Sequence, residues 1–122
     1  MIELTYCMHR LPQLTHQEFV DYWHDRHASL MRRHQGILRV RRYVQLCATQ
    51  TELNLRVARF RGGPPAFDGI AEVWYDSWEE FSAAAGDPAA QPALSELLQD
   101  ERRFIDLARS PVWINEIREI FC

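Results

Sequence analysis

The run Phe19-Val20-Asp21-Tyr22-Trp23-His24-Asp25-Arg26-His27, with a further histidine at His34, concentrates the groups most able to move protons. At ~100° per residue, Phe19, Trp23 and Leu30 centre the apolar face of a helix. With Phe19 at zero, His27 falls at roughly 80° and His34 at roughly 60°, both inward, whereas His24 falls at roughly 140° and Asp21, Asp25 and Arg32 take the far side. An inward imidazole among aromatics is a candidate general base, because its unperturbed pKa of about 6.5 lies near neutrality. The same position equally suits a core histidine bonded to a backbone carbonyl. His24 and His27 diverge by about a sixth of a turn or more and no third ligand lies nearby, so no metal site is assigned.

Two carboxylates stand at positions where a solvated charge is out of place. Glu101 falls inside a late-helix stripe made by Leu94, Leu98 and Ile105, with Asp100 at its edge, so Glu101 either pairs with an arginine or lines a cavity. Glu72, between Ile70 and Trp74 in a strand-like run, faces either a pocket shared with Trp74 or solvent at a sheet edge. Tyr6, Tyr43 and Trp74 supply large apolar bodies suited to a planar ligand, or simply to a core. Gly62-Gly63-Pro64-Pro65 lacks the spacing and the lysine of a phosphate loop.

The elements that must position these groups follow from periodicity and caps. Residues 2–9 alternate Leu4, Tyr6 and Met8 against Glu3, Thr5 and Cys7, a first strand ended by Pro12. Thr15-His16-Gln17-Glu18 is a capping box opening a helix that runs to about Gln35 and stops at Gly36. Leu38 to Ala48 reads as a second strand. A surface excursion over 49–67 carries Leu53, Val57 and Phe60 at i, i+4, i+7. Gly69 to Tyr75 is the third strand, Ser77 caps a short helix with Glu80 at N3, and Asp87-Pro88 starts the late helix. Val112 to Phe121 is the fourth strand. The order matches the β-α-β-β-α-β arrangement of ferredoxin-like α+β folds, with helices on one face of a four-stranded antiparallel sheet. The other face, carrying residues such as Trp113, Ile117 and Phe121, needs a cover, and a second copy of the chain is the simplest one.

Composition narrows the remaining choices. With 122 residues and 47% hydrophobic content the chain supports one core, so residues 1–122 are read as one domain. A net charge of -3 without a basic stripe argues against nucleic acid. All 14 basic residues are arginine, which removes Schiff-base and lysine general-base chemistry. Cys7, Cys47 and Cys122 show neither disulfide nor zinc spacing, consistent with a reducing cytoplasm. No run reaches the ~18 apolar residues of a membrane span, and the acidic start lacks the basic flank of a secretory signal.

Three blocks together resemble the EthD family: Leu14 through Trp23 to His27, Phe67 to Ser77, and Asp100 to Asp106. The resemblance runs over nearly the whole chain, and the histidine of its first-helix signature maps onto His27, not onto His24 or His34. It implies a dimeric α+β barrel in which two four-stranded sheets pack face to face and each protomer keeps a cavity between its own sheet and helices. It also implies cofactor-independent chemistry. The leading expectation is a lyase or isomerase of the dehydratase, decarboxylase or cyclase type, acting on a small aromatic or polyketide-like substrate. His27 is then the catalytic residue, and Trp23, Tyr43, Glu72, Trp74 and Glu101 are the substrate-binding ones. A cofactor-free oxygenase and a non-catalytic small-molecule-binding or accessory protein are the alternatives.

Overall fold

The computed structural model describes residues 1–122. Its elements are β1 (Ile2–Met8), α1 (His16–Tyr22), a π-helical turn (Trp23–His27), α2 (Ala28–His34), β2 (Arg42–Cys47), α3 (Glu52–Phe60), β3 (Gly69–Tyr75), α4 (Trp78–Gly86), α5 (Gln91–Glu101) and β4 (Val112–Glu116). The four strands form one antiparallel sheet in the order β2-β3-β1-β4, the ferredoxin-like arrangement. No helix is long and apolar enough to cross a membrane.

Strand alternation sends Ile2, Leu4, Tyr6 and Met8 of β1 to the same face as Ala71, Val73 and Tyr75 of β3, and the helices cover that face. Two clusters fill the space between. One joins Ile2, Val73 and Tyr75 to Leu38, Val40, Ala93 and Leu97; the other joins Met8 and Ala71 to Phe19, Trp23, Phe104 and Ile105. Phe19, Trp23 and Phe104 are at most 1% exposed, so the second cluster is the drier and more aromatic.

Four expectations are corrected. The first helix is not regular to Gln35: a wide turn interrupts it at Trp23–His27, where the Ala28 N–H donates to the Trp23 carbonyl five residues back. The second strand starts at Arg42, not Leu38, because the Leu38 and Val40 N–H groups donate back to His34 and Gln35 and are spent in the turn. Arg39 makes that turn in the left-handed region, at φ 57°. The fourth strand stops at Glu116, since Glu116 already pairs with Ile2, the first residue of β1, and the ladder has no partner beyond it. The buried stripe of α5 is Ala93, Leu97 and Asp100, continued by Phe104, whereas Leu94 and Leu98 are 38% and 41% exposed.

The third strand and the caps agree with the sequence reading, while β1 ends at Met8 and α5 begins at Gln91, after a 3-10 turn at Pro88–Ala90. The Thr15–Glu18 capping box forms in both directions, with Glu18 N–H donating to Thr15 Oγ1 at 3.1 Å and Thr15 N–H to Glu18 Oε1 at 2.9 Å. Ser77 caps α4 through the Glu80 N–H, at 3.2 Å. The excursion after β2 contains α3, and its apolar residues Leu53, Val57 and Phe60 point outward.

Helix and sheet come close together at Gly69, the first residue of β3. A Cβ there would lie 2.6 Å from Cζ3 of Trp23 and 3.2 Å from the Leu46 carbonyl oxygen. The indole cannot step aside, because it is buried and its Nε1–H is bonded to the Tyr43 hydroxyl. Gly69→Ala is therefore expected to lower the unfolding free energy by about 1–3 kcal/mol through overpacking. Urea denaturation at neutral pH measures it, and a variant as stable as the parent contradicts this account of the contact.

Candidate functional site

Trp23 and His27, at the two ends of the π turn, are both interior, at 1% and 6% exposure, while His24 between them stays in solvent, the facing that helical spacing predicts. The Gln45 amide donates to the Trp23 carbonyl at 3.1 Å and to the Tyr43 hydroxyl at 3.2 Å, tying the turn to β2. The Trp23 indole N–H donates to the same hydroxyl at 2.9 Å. Tyr43 thus accepts two hydrogen bonds, and burial pushes its phenol pKa up.

His27 is held by Asp100. The Nδ1–H donates to Asp100 Oδ2 at 2.8 Å, and the Tyr22 hydroxyl donates to Asp100 Oδ1 at 2.5 Å, so both carboxylate oxygens are engaged. The carboxylate itself is buried, and the exposed Arg103 guanidinium reaches no nearer than 3.8 Å. Phe104 closes the group, its ring 5.1 Å from both His27 and Tyr22. Burial pulls the His27 pKa below the ordinary imidazole value, and the Asp100 carboxylate opposes that without reversing it. The ring is therefore neutral at neutral pH, with its proton on Nδ1 and a lone pair on Nε2. That Nε2 makes no hydrogen bond. The one sealed side-chain nitrogen or oxygen without a partner is Trp74 Nε1, so His27 Nε2 is not closed off from solvent.

Glu101 is a further titratable group on this side of the sheet. It is the last residue of α5, where the helix dipole disfavours negative charge. Burial chiefly, helped by the neighbouring Asp100 charge and opposed by the nearby Tyr6 hydroxyl, pushes its pKa up to about 7. Tyr6 is driven well above the usual phenol range, by burial first and then by Glu101. Adjacent carboxyls thus differ in kind: Asp100 is an acceptor fully engaged by donors, and Glu101 is half protonated near neutrality. No three His, Cys, Asp or Glu side chains converge in a way that could hold a metal ion.

Of the residues singled out from the sequence, Trp23, His27, Tyr43 and Glu101 lie between the sheet and the helices. Glu72 and Trp74 do not. In β3 the buried positions are Gly69, Ala71, Val73 and Tyr75, so Glu72 and Trp74 project from the opposite face, opposite Thr5 and Val44 and opposite Glu3 and Arg42 respectively. The expected grouping of Trp74 with Trp23 and Tyr43 is corrected on this point: Trp74 instead lies under the Arg42 guanidinium, 5.3 Å from the ring centroid. His34 turns toward Glu96, its Nε2 3.2 Å from a carboxylate oxygen, away from the His27 group. Asp100 and Tyr22 are the additions. Asp100 escapes a stripe drawn through Leu94, Leu98 and Ile105, yet Ala93, Leu97, Asp100 and Phe104 at i, i+4, i+7, i+11 form an equally good helical face one residue earlier.

Comparison with known proteins agrees with this frame. The EthD domain model matches residues 11–108, a span that contains His27, Asp100 and Glu101. An ethyl tert-butyl ether d (EthD) family protein from Bacillus halodurans superposes with a TM-score of 0.63 at 19% identity, covering 97% of this chain and 99% of that one. HapK from Hahella chejuensis gives 0.60 at 8% identity over 100% and 98% of the two chains. An EthD-like protein from Ralstonia eutropha gives 0.58 at 21% identity over 98% and 95%. These likenesses concern the fold. No curated protein sequence matches the chain. With the family model covering most of the sequence, from ahead of the first helix to beyond the last, the chain belongs to the EthD family.

Proposed function

We propose that the chain is a cofactor-independent lyase or isomerase, of the dehydratase, decarboxylase or cyclase type, acting by proton transfer on a small aromatic or polyketide-like substrate. The observation that carries this is His27 itself: a neutral ring with Nδ1 fixed on Asp100, Nε2 unpartnered and not sealed, and a dry aromatic cluster behind it. That tautomer and that free lone pair are what a general base requires. In the proton-transfer step, Nε2 takes a proton from a carbon next to a substrate carbonyl. The Glu101 carboxyl gives its proton to the oxygen that gains charge or leaves as water. The imidazolium and carboxylate so formed return to their starting states by exchange with solvent. Asp100 positions the ring and stabilises the imidazolium, and Trp23 and Tyr43 provide apolar wall.

Deuterium uptake from D2O by a panel of aromatic and polyketide-like ketones tests the base directly. His27→Ala is expected to lower the exchange rate by ~10²–10⁴-fold for any compound the parent protein labels. An unchanged rate in a folded His27→Ala protein removes the assignment.

The pH profile tests the pairing of base and acid. The lowered His27 pKa keeps the base form present below pH 6.5, and the Glu101 value of about 7 removes the acid form above it, so the rate is expected to be bell-shaped with its alkaline limb near pH 7. Glu101→Gln is expected to abolish that limb. Stability carries the same sign. Ionising Glu101 costs more in the folded chain, so stability present at acid pH is lost as pH rises from 4.5 through about 7, by about 1–3 kcal/mol relative to Glu101→Gln. Parallel melting curves of parent and variant across pH 4–9 supply the check.

The uncovered sheet face supports a homodimer as the working unit. It carries Trp113 at 47% and Leu46 at 45% exposure, with Trp74 and Glu72 at its centre. A sheet with one apolar face left open is usually packed against something, and a second copy presents the same surface. Trp113→Glu is expected to shift the sedimentation coefficient from dimer to monomer, and a variant that still sediments as the parent does excludes this face.

A further inference from the structure

A groove that does not include His27, though it shares Tyr43 with the site described above, runs between α2 and the edge strand β2. It has a volume of about 430 Å³, within the range of small-molecule sites. His24, Arg32, Arg41 and Arg42 line it together with Met31 and Tyr43, and no carboxylate is among its lining residues. For a chain of net charge -3 this is a local reversal of sign. The groove lies on the flank of the helix that faces β2, whereas His27 occupies the flank that faces Asp100 on α5.

The cations are not consumed by neighbours. Arg32 makes no ion pair. Arg41 meets Asp76 at 3.6 Å with both side chains exposed, a long contact screened by solvent. His24 leans on Asp25 in solvent. Arg42 is the exception, since its guanidinium is stacked over Trp74 on the other sheet face and contributes only its charge. Beneath these groups Met31 and the Tyr43 ring present an apolar floor. A guanidinium presents paired N–H donors that match a carboxylate, sulfate or phosphate, and a floor of this kind suits a flat carbon skeleton.

We infer that this groove binds a small aromatic organic anion, its acidic group held by Arg32 and Arg41 and its ring laid against Met31 and Tyr43. The groove shares Tyr43 with the wall assigned to the proton-transfer site, but its anion-holding pair, Arg32 and Arg41, has no part in that reading, so either can fail alone.

Calorimetric titration of the whole protein with 2-naphthoate and with the neutral 2-naphthamide decides the matter. Naphthoate is expected to bind at least tenfold more tightly than the amide, and to weaken as sodium chloride rises from 50 to 500 mM. Arg32→Gln and Arg41→Gln are each expected to weaken naphthoate at least fivefold, with the amide, the circular dichroism and the melting temperature unchanged. Arg26→Gln, on the same helix but outside the groove, is expected to leave binding as it was. Equal affinity for acid and amide, no heat with naphthoate, undiminished binding in both groove variants, or a loss in Arg26→Gln matching theirs overturns the assignment.

Discussion

The carboxylate of Asp100 is the point through which the helical layer is fastened. It receives the His27 ring from the π turn and the Tyr22 hydroxyl from the end of α1, and it sits on the penultimate residue of α5. A buried carboxylate is tolerated only when its lone pairs are met, and here both oxygens are. Removing the acid leaves the buried His27 Nδ1–H unsatisfied and takes the acceptor from the half-buried Tyr22 hydroxyl, a cost larger than that of one missing hydrogen bond. The same contact aligns the imidazole. Structural tie and imidazole orientation are therefore one interaction, and the aromatic cluster of Phe19, Trp23 and Phe104 is arranged around it.

The second constraint comes from the sheet. A period of two commits every residue of β3 to one side or the other, and Gly69 sets which: with no Cβ, it lets the Trp23 indole press onto the strand. From there Ala71, Val73 and Tyr75 must be inward, and Glu72 and Trp74 outward. Strand membership was legible because alternation, β-branched residues and turn signals coincide in 69–75. The facing of each alternation set was not, since Ile70, Glu72 and Trp74 mix polar and apolar groups just as the other set mixes glycine and tyrosine.

On the helices the position is similar. Caps at Thr15, Ser77 and Asp87 carry their own local chemistry and were readable as such, and their side chains make the expected bonds. His27 could be placed inward because three aromatic or aliphatic residues, Phe19, Trp23 and Leu30, mark that face. Asp100 could not, because α5 bears leucines on two adjacent faces, Leu97 buried and Leu94 and Leu98 half in solvent, so hydrophobicity alone does not choose between stripes. Glu101 was legible as a misplaced charge, while its half-protonated state depends on burial and on Asp100, which no spacing rule contains.

The wide turn in the first helix has an evolutionary reading. One residue more than an α-helix of that span would hold is confined between Trp23 and Ala28, and the coil is regular again on both sides. A single-codon insertion is enough to create such a turn, and a single-codon deletion to erase it, without re-aiming the residues of either flank. The Trp23 carbonyl, shared by the Ala28 N–H and the Gln45 amide, shows how the surplus is accommodated: a strand side chain supplies a donor beside the widened backbone. Relatives that differ by one residue here would keep the same scaffold and lose or gain the imidazole's seat in one step.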